Sequence, residues 1–174
     1  MELAVGFIIG LVVAAIGAWC TVYFQRYSLK QQNTLNLSER YNSPDFHVVR
    51  AIAWELRDAW GRGDRTIVKY FVFSVAPENA QCQYQRCSNG LWPHQNLSTL
   101  LHFYGNLARY YDAGLVNKKL LKVLFEPQYF WYESFIHEFV KEYEVEMQEQ
   151  QLPAPQWITA LSRLEIIFDK HKKT

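Results

Sequence analysis

Residues 3–24 run for 22 positions without a charged side chain. At about 1.5 Å of rise per residue, a helix of that length reaches roughly 33 Å, enough for a hydrocarbon core of about 30 Å. Inside a bilayer only a helix or a closed barrel satisfies its own backbone, so the run reads as one N-terminal transmembrane helix. Trp19, Tyr23 and Tyr27 gather towards its far end, where amphipathic rings suit the interface. A cleaved signal peptide calls for Lys or Arg ahead of a shorter apolar core and for small residues at the cleavage site. Here Glu2 is the charged side chain ahead of the run, and Trp19 directly precedes Cys20. The expectation is an uncleaved anchor over residues 1–27.

Arg26, Lys30 and Arg40 follow the run, and neither Lys nor Arg precedes it. The positive-inside rule then places the N-terminus outside and the rest of the chain in the cytoplasm, as a single-pass protein of the inner, cytoplasmic membrane. Gly6, Gly10 and Ala14 fall at i, i+4 and i+8. Such small residues make a flat stripe on which a second membrane helix can approach closely, from another copy or from a different subunit.

Residues 28–42 are polar, with Gln31, Gln32, Asn33 and Asn36 among them, and read as a juxtamembrane helix extension or short tether. Residues 43–174 form the expected soluble domain. Ser43-Pro44 is a helix start, with the hydroxyl as cap and proline at the first helical position. Phe46, Val49, Ala53, Leu56 and Trp60 then repeat at helical spacing, up to Gly61 and Gly63. Asp64 can cap the next segment, residues 65–75, which is β-branched and aromatic, so strand and helix compete; helix is the expectation because its neighbours are helical. Residues 76–94 lack a period. Asn96 is the expected cap of the next helix, with Leu97, Leu100, Tyr104, Leu107 and Tyr111 on one face, and Gly114-Leu115 its Schellman stop. Asn117 caps a short helix through Leu121 and Leu124. Pro127 opens the longest helix, to about Gln150, with Tyr132, Phe135, Phe139, Tyr143 and Met147 buried. Pro153 and Pro155 separate it from a last helix carrying Trp157, Leu161, Leu164 and Phe168. The expected class is all-α: one transmembrane helix and a helical-bundle soluble domain of about five or six helices.

Residues 100–168 carry a run Leu100-Leu101-His102-Phe103-Tyr104-Gly105-Asn106-Leu107, then Ala113-Gly114-Leu115-Val116. Phe125, Trp131 and a closing Trp157, Leu161, Leu164 helix follow. This text resembles a family of bacterial single-pass membrane proteins with a small helical cytoplasmic domain of unknown function. The resemblance covers about 40% of the chain, mainly core and turn residues. It implies the architecture and bacterial origin, and it carries over no catalytic residue. Gly105 departs from the family, whose members often have Glu there.

The charge balance is +1, from 18 Lys and Arg against 17 Asp and Glu, which argues against a nucleic-acid partner. Three cysteines in 174 residues exclude a disulfide-stapled scaffold. No phosphate-binding glycine loop, dinucleotide fingerprint, HExxH or GxSxG occurs, so no catalytic motif marks the chain as an enzyme and no cofactor is expected. Cys82, Cys87, His94 and His102 are weak metal candidates: four residues separate the cysteines and seven the histidines, a poor match to zinc spacing. Glu133 and His137 share a helix face at i, i+4, one residue off the di-iron spacing and without a second copy.

Glu138, Glu142 and Glu146 form an acidic row. From Glu126 to Glu149 there are seven acids and one base; from Arg26 to Val72 there are eight bases and five acids. A solvated helix face explains the row. Charge-complementary docking on a basic partner or a neighbouring copy explains it too, and makes these residues candidate partner contacts. The expected function is a membrane-anchored protein-interaction domain, an accessory or assembly subunit or a homo-oligomer, with membrane lipid as its other partner. The alternative is a membrane-tethered, metal-dependent effector or enzyme with its site in the loop and helix at 76–105.

Overall fold

A computed structural model describes residues 2–73, 85–153 and 155–169, with side chains from residue 10 onward except at 72, 73 and 169. Among the described residues the chain is all helix: α1 (Glu2–Tyr41), α2 (Pro44–Gly61), α3 (Thr66–Phe73), α4 (Pro93–Asp112), α5 (Lys118–Phe130), α6 (Glu133–Glu149) and α7 (Gln156–Asp169). Helix α4 is central, with α2, α3 and α7 packed around it; α3 also meets α6, and α1 meets α5 and α2.

Helix α1 is 40 residues, about 60 Å, without a break. The side chains of residues 10–33 stand exposed apart from a half-buried Cys20. Among the described residues, no helix is long and apolar enough to cross a membrane. From residue 10, where side chains are described, to Phe24 the uncharged stretch is 15 residues, about 22 Å of helix.

Residues 28–42 are the helical extension and not a loose tether. Thr34, Leu37 and Tyr41 recur at i, i+3 and i+7 and turn inward. Thr34 and Tyr41 are buried, and Leu37 packs against the core. The Asn117 amide donates to Thr34 Oγ1 (2.9 Å) and to the Lys30 carbonyl (3.2 Å), and Asn33 Nδ2 donates to the Leu115 carbonyl (3.0 Å). The packed unit therefore begins inside α1, ahead of Ser43.

Ser43 caps α2 through the Phe46 amide, and Phe46, Val49, Ala53, Leu56 and Trp60 are buried as their spacing predicts. Asp64 Oδ1 accepts the Thr66 amide at the start of α3 (2.9 Å). Gly114 has φ +66, and the Gly114 and Leu115 amides bond the Tyr111 and Tyr110 carbonyls, the two bonds of a Schellman stop. Asn117 Oδ1 accepts the Leu120 amide and caps α5 (3.1 Å).

Two boundaries differ from expectation. Helix α4 starts at Pro93, and Asn96 lies inside its first turn, buried, with Nδ2 donating to the Trp92 carbonyl (3.1 Å). Proline at the first position needs no amide donor, so the helix opens a turn earlier than Asn96 suggests. Pro127 lies near the end of α5 and does not open α6. Without an amide hydrogen it cannot bond the carbonyl four residues back, and the helix stops one turn later. The Tyr132 amide bonds Tyr129 O (2.9 Å), and α6 starts afresh at Glu133.

The core holds two aromatic groups. The Tyr41 ring sits 5.2 Å from Phe103, 5.4 Å from Phe46 and 5.7 Å from Phe125, its hydroxyl 3.2 Å from that of Tyr104. Phe71 gathers Phe139 (5.1 Å), Tyr143 (5.3 Å) and Trp157 (5.8 Å). Such offset and edge contacts add to area burial. The last residue of α1 is thus a core residue, and the exposed part of α1 is fixed in direction relative to the bundle.

Candidate functional site

Helix α2 carries two stripes. The apolar one faces the core. The other holds Arg50, Trp54 and Arg57 at i, i+4 and i+7, and looks outward. The corner between α5 and α6 brings Gln128, Trp131 and Tyr132 beside it. Between them lies a cleft of about 380 Å³, floored by Tyr41. The Trp54 and Trp131 rings lie 5.1 Å apart, yet the residues remain 42% and 57% exposed. That is a large apolar area to leave in water unless something covers it.

The cleft is basic. The Arg50 guanidinium lies 4.6 Å over Tyr41, and Arg57 lies 5.0 Å over Trp54. An Arg50 Nη lies 3.3 Å from His47 Nδ1. The Tyr132 hydroxyl donates to the Arg50 carbonyl (3.1 Å). Burial, aided by Tyr41 and opposed by Arg50 and Arg57, pushes the Tyr132 hydroxyl up to about 12, so it stays a donor. The lining residues include no carboxylate. Arg50 Nε and Gln128 Oε1 are buried in its wall without a hydrogen-bond partner in the protein. Where it lies, closed off from solvent, each such atom carries a desolvation penalty of about 1–3 kcal/mol. Aromatic walls, guanidinium groups and unsatisfied polar atoms suit binding; nucleophile and base are not paired here.

The residues singled out from sequence fall elsewhere. Glu138 and Glu142 meet their own chain: Glu138 Oε2 accepts from Trp60 Nε1 (2.8 Å), and Arg65 Nε donates to Glu142 (2.9 Å) while its guanidinium covers the Trp60 ring at 3.8 Å. Glu146 is half-buried one turn further along α6. The charge complementarity between α6 and the basic stretch is thus used at least partly within the fold.

Cys82 lies outside the described residues. Cys87 sits half-buried in a turn closed by its amide to Leu91 O (2.8 Å); burial first and the Glu55 charge second push its thiol up, against a hydrogen bond from Asn96. His94 is held below the usual imidazole range by burial. His102 is exposed, its ring edge-on to Trp157. Eight residues along one helix put the histidines roughly 12 Å apart. Among the described residues, no three His, Cys, Asp or Glu side chains gather to hold a metal ion. His137 Nδ1 lies 3.4 Å from Glu165 of α7. Gly10 and Ala14 lie on the exposed part of α1, and a Cβ at Gly10 would meet nothing within 4 Å. The side chain at position 6 lies outside the described set.

Sequence reading missed the cleft because Trp54 and Trp131 are 77 positions apart and each looks like ordinary core. The usable signal was the second stripe on α2, Arg50-Trp54-Arg57, which cannot face the core while Phe46, Val49 and Ala53 do. No family model, no characterised protein sequence and no solved structure matches this chain.

Proposed function

We propose that this protein is a single-pass, membrane-anchored helical interaction domain that serves as an accessory or assembly subunit of a larger complex. The anchor is residues 3–24, with the N-terminus outside and the α2–α7 domain on the cytoplasmic side, at the inner membrane of a bacterium. The observation that carries the reading is the continuity of α1: one helix bears the uncharged run at one end and Tyr41, a core residue of the domain, at the other. Such a helix holds the domain at a fixed stand-off from the surface. Tyr41 lies 17 positions beyond Phe24, roughly 26 Å of helix. The Trp54–Trp131 cleft beside Tyr41 has the Trp, Tyr and Arg make-up of a protein-binding hot spot.

The test is made on the full-length chain in its own membranes. Resistance to carbonate extraction and protection of the N-terminus from external protease only after the bilayer is sealed the other way round support the anchor and its orientation. Recovery in the soluble fraction overturns them. Native mass spectrometry then reads the partner: a mass carrying other polypeptides supports the subunit reading, and an exact multiple of 20.6 kDa replaces it with a homo-oligomer.

A further inference from the structure

We infer that the cleft between α2 and the α5–α6 corner docks a short acidic segment of a partner protein, which seats an apolar side chain beside the Trp54–Trp131 pair and presents carboxylates to Arg50 and Arg57. This rests on the reading of the domain as a protein-binding module and names the chemistry of what it binds.

Three observations select that occupant. The apolar part is already built: the Trp54 and Trp131 rings pair at 5.1 Å and both residues stay exposed. The polar part asks for negative charge: Arg50 and Arg57 flank the cleft, and none of its lining residues is a carboxylate. Gln128 Oε1 lacks a donor and Arg50 Nε an acceptor. A peptide offers both, in its backbone N–H and its side-chain carboxylate, once the two side chains turn outward.

The competing occupants fit less well. Aromatic and arginine residues also suit a lipid interface, but the cleft borders Tyr41, roughly 26 Å along α1 from Phe24, beyond headgroup depth. A nucleic-acid backbone asks for an extended basic track, and α2, with Asp45, Glu55 and Asp58 away from the cleft lining, offers a single pair of arginines. A second copy would bring its most acidic helix, α6, whose Glu138 and Glu142 are engaged by Arg65.

The experiment places the photo-crosslinker p-benzoylphenylalanine at position 47 of the full-length protein, in native membranes, and maps the adduct by mass spectrometry. His47 lines the cleft and is exposed, so the exchange leaves the Trp54–Trp131 pair and both arginines in place. The expected adduct lies on another protein, in a segment with two or more carboxylates close to the linked residue. Its yield falls about tenfold with Arg57→Glu and returns when an acid of that segment becomes Lys. Adducts on lipid, nucleic acid, a second copy or a segment without carboxylates overturn the inference, as does an undiminished yield with Arg57→Glu or no adduct. Thermal melts matching the parent establish that each variant is folded before its yield is read. Membrane pelleting and native mass of the same preparation test the broader reading separately: a chain that pellets in a heavier complex, yet crosslinks elsewhere, overturns the inference alone.

Discussion

Trp60 donates its indole N–H to Glu138 Oε2 at 2.8 Å, across the α2–α6 contact. The indole is buried and the carboxylate half exposed, so the bond matters more to the tryptophan than to the glutamate. Glu138→Ala leaves a buried donor without an acceptor and is expected to cost about 1 kcal/mol or more. Glu138→Gln keeps an oxygen in place and loses only the long, exposed pair to Arg65, a few tenths of a kcal/mol. Urea unfolding midpoints order the three proteins: parent and Gln close together, Ala clearly lower. Equal losses for both variants would mean the ion pair, and not the indole bond, holds the contact.

Gly105 lies where α4 packs on α7. A Cβ there meets Ala160 Cβ at 3.6 Å and Trp157 at 3.8 Å, an ordinary contact. Gly105→Ala is therefore expected to be neutral or to stabilise by up to about 1 kcal/mol, from helix propensity. Gly105→Glu forces a carboxylate into the dry α4–α7 seam and is expected to destabilise by several kcal/mol. Circular-dichroism melts of both variants decide: a Glu variant as stable as the parent would show the seam to be looser than Trp157 and Ala160 make it.

The helices and most of the core were legible because their periods are strong and their caps local. Ser43, Asp64, Asn117 and the Gly114-Leu115 stop act within a few residues of themselves, and each does what its chemistry dictates. Pro127 was misplaced because proline suits the first turn of a helix and also ends one, and the sequence holds both options open until the Tyr129–Tyr132 turn is seen. The inward turn of Thr34, Leu37 and Tyr41 was hidden by their polar neighbours. The cleft lay furthest from reach, since it depends on bringing α2 against a corner about 77 residues later, a tertiary fact that no local period encodes.

Acid should weaken the fold through His94. Burial holds its imidazole below the ordinary 6.5, so the unfolded chain takes up the proton first. The contribution is intact above pH 6.5 and is lost as pH falls from there through the folded-state value. Melting temperature measured between pH 8 and 5 should decline below pH 6.5, and His94→Gln should flatten that decline. An equal decline in both proteins assigns it to other groups.

A leucine at Gly10 should leave the bundle untouched, since its Cβ meets nothing within 4 Å and the bundle is not in contact there. If Gly10 and Ala14 form a packing stripe in the anchor, the bulk blocks a second helix from approaching. The expected outcome of Gly10→Leu is an unchanged domain melt with the full-length chain released from its complex to a single 20.6 kDa species in native mass spectra. Retention of the parent mass would remove the stripe from the assembly.

Thr34 ties the stalk to the bundle. Its hydroxyl donates to Lys30 O (2.7 Å) and accepts the Asn117 amide (2.9 Å), while the residue is fully buried. Thr34→Val keeps the shape and removes the acceptor, so the Asn117 amide retains only the longer bond to Lys30 O at 3.2 Å. The loss is expected to be about 1–2 kcal/mol, with the apolar contacts of Leu37 and Tyr41 intact. Because Tyr41 still plugs the core, the domain should stay folded while residues 25–33 gain freedom relative to α5. Spin labels at exposed positions 29 and 119 read this directly: one narrow distance distribution in the parent, a broader one in the variant. A distribution as narrow as the parent's would mean that Leu37 and Tyr41 alone fix the stalk, and that the stand-off of the domain does not depend on the Thr34–Asn117 bond.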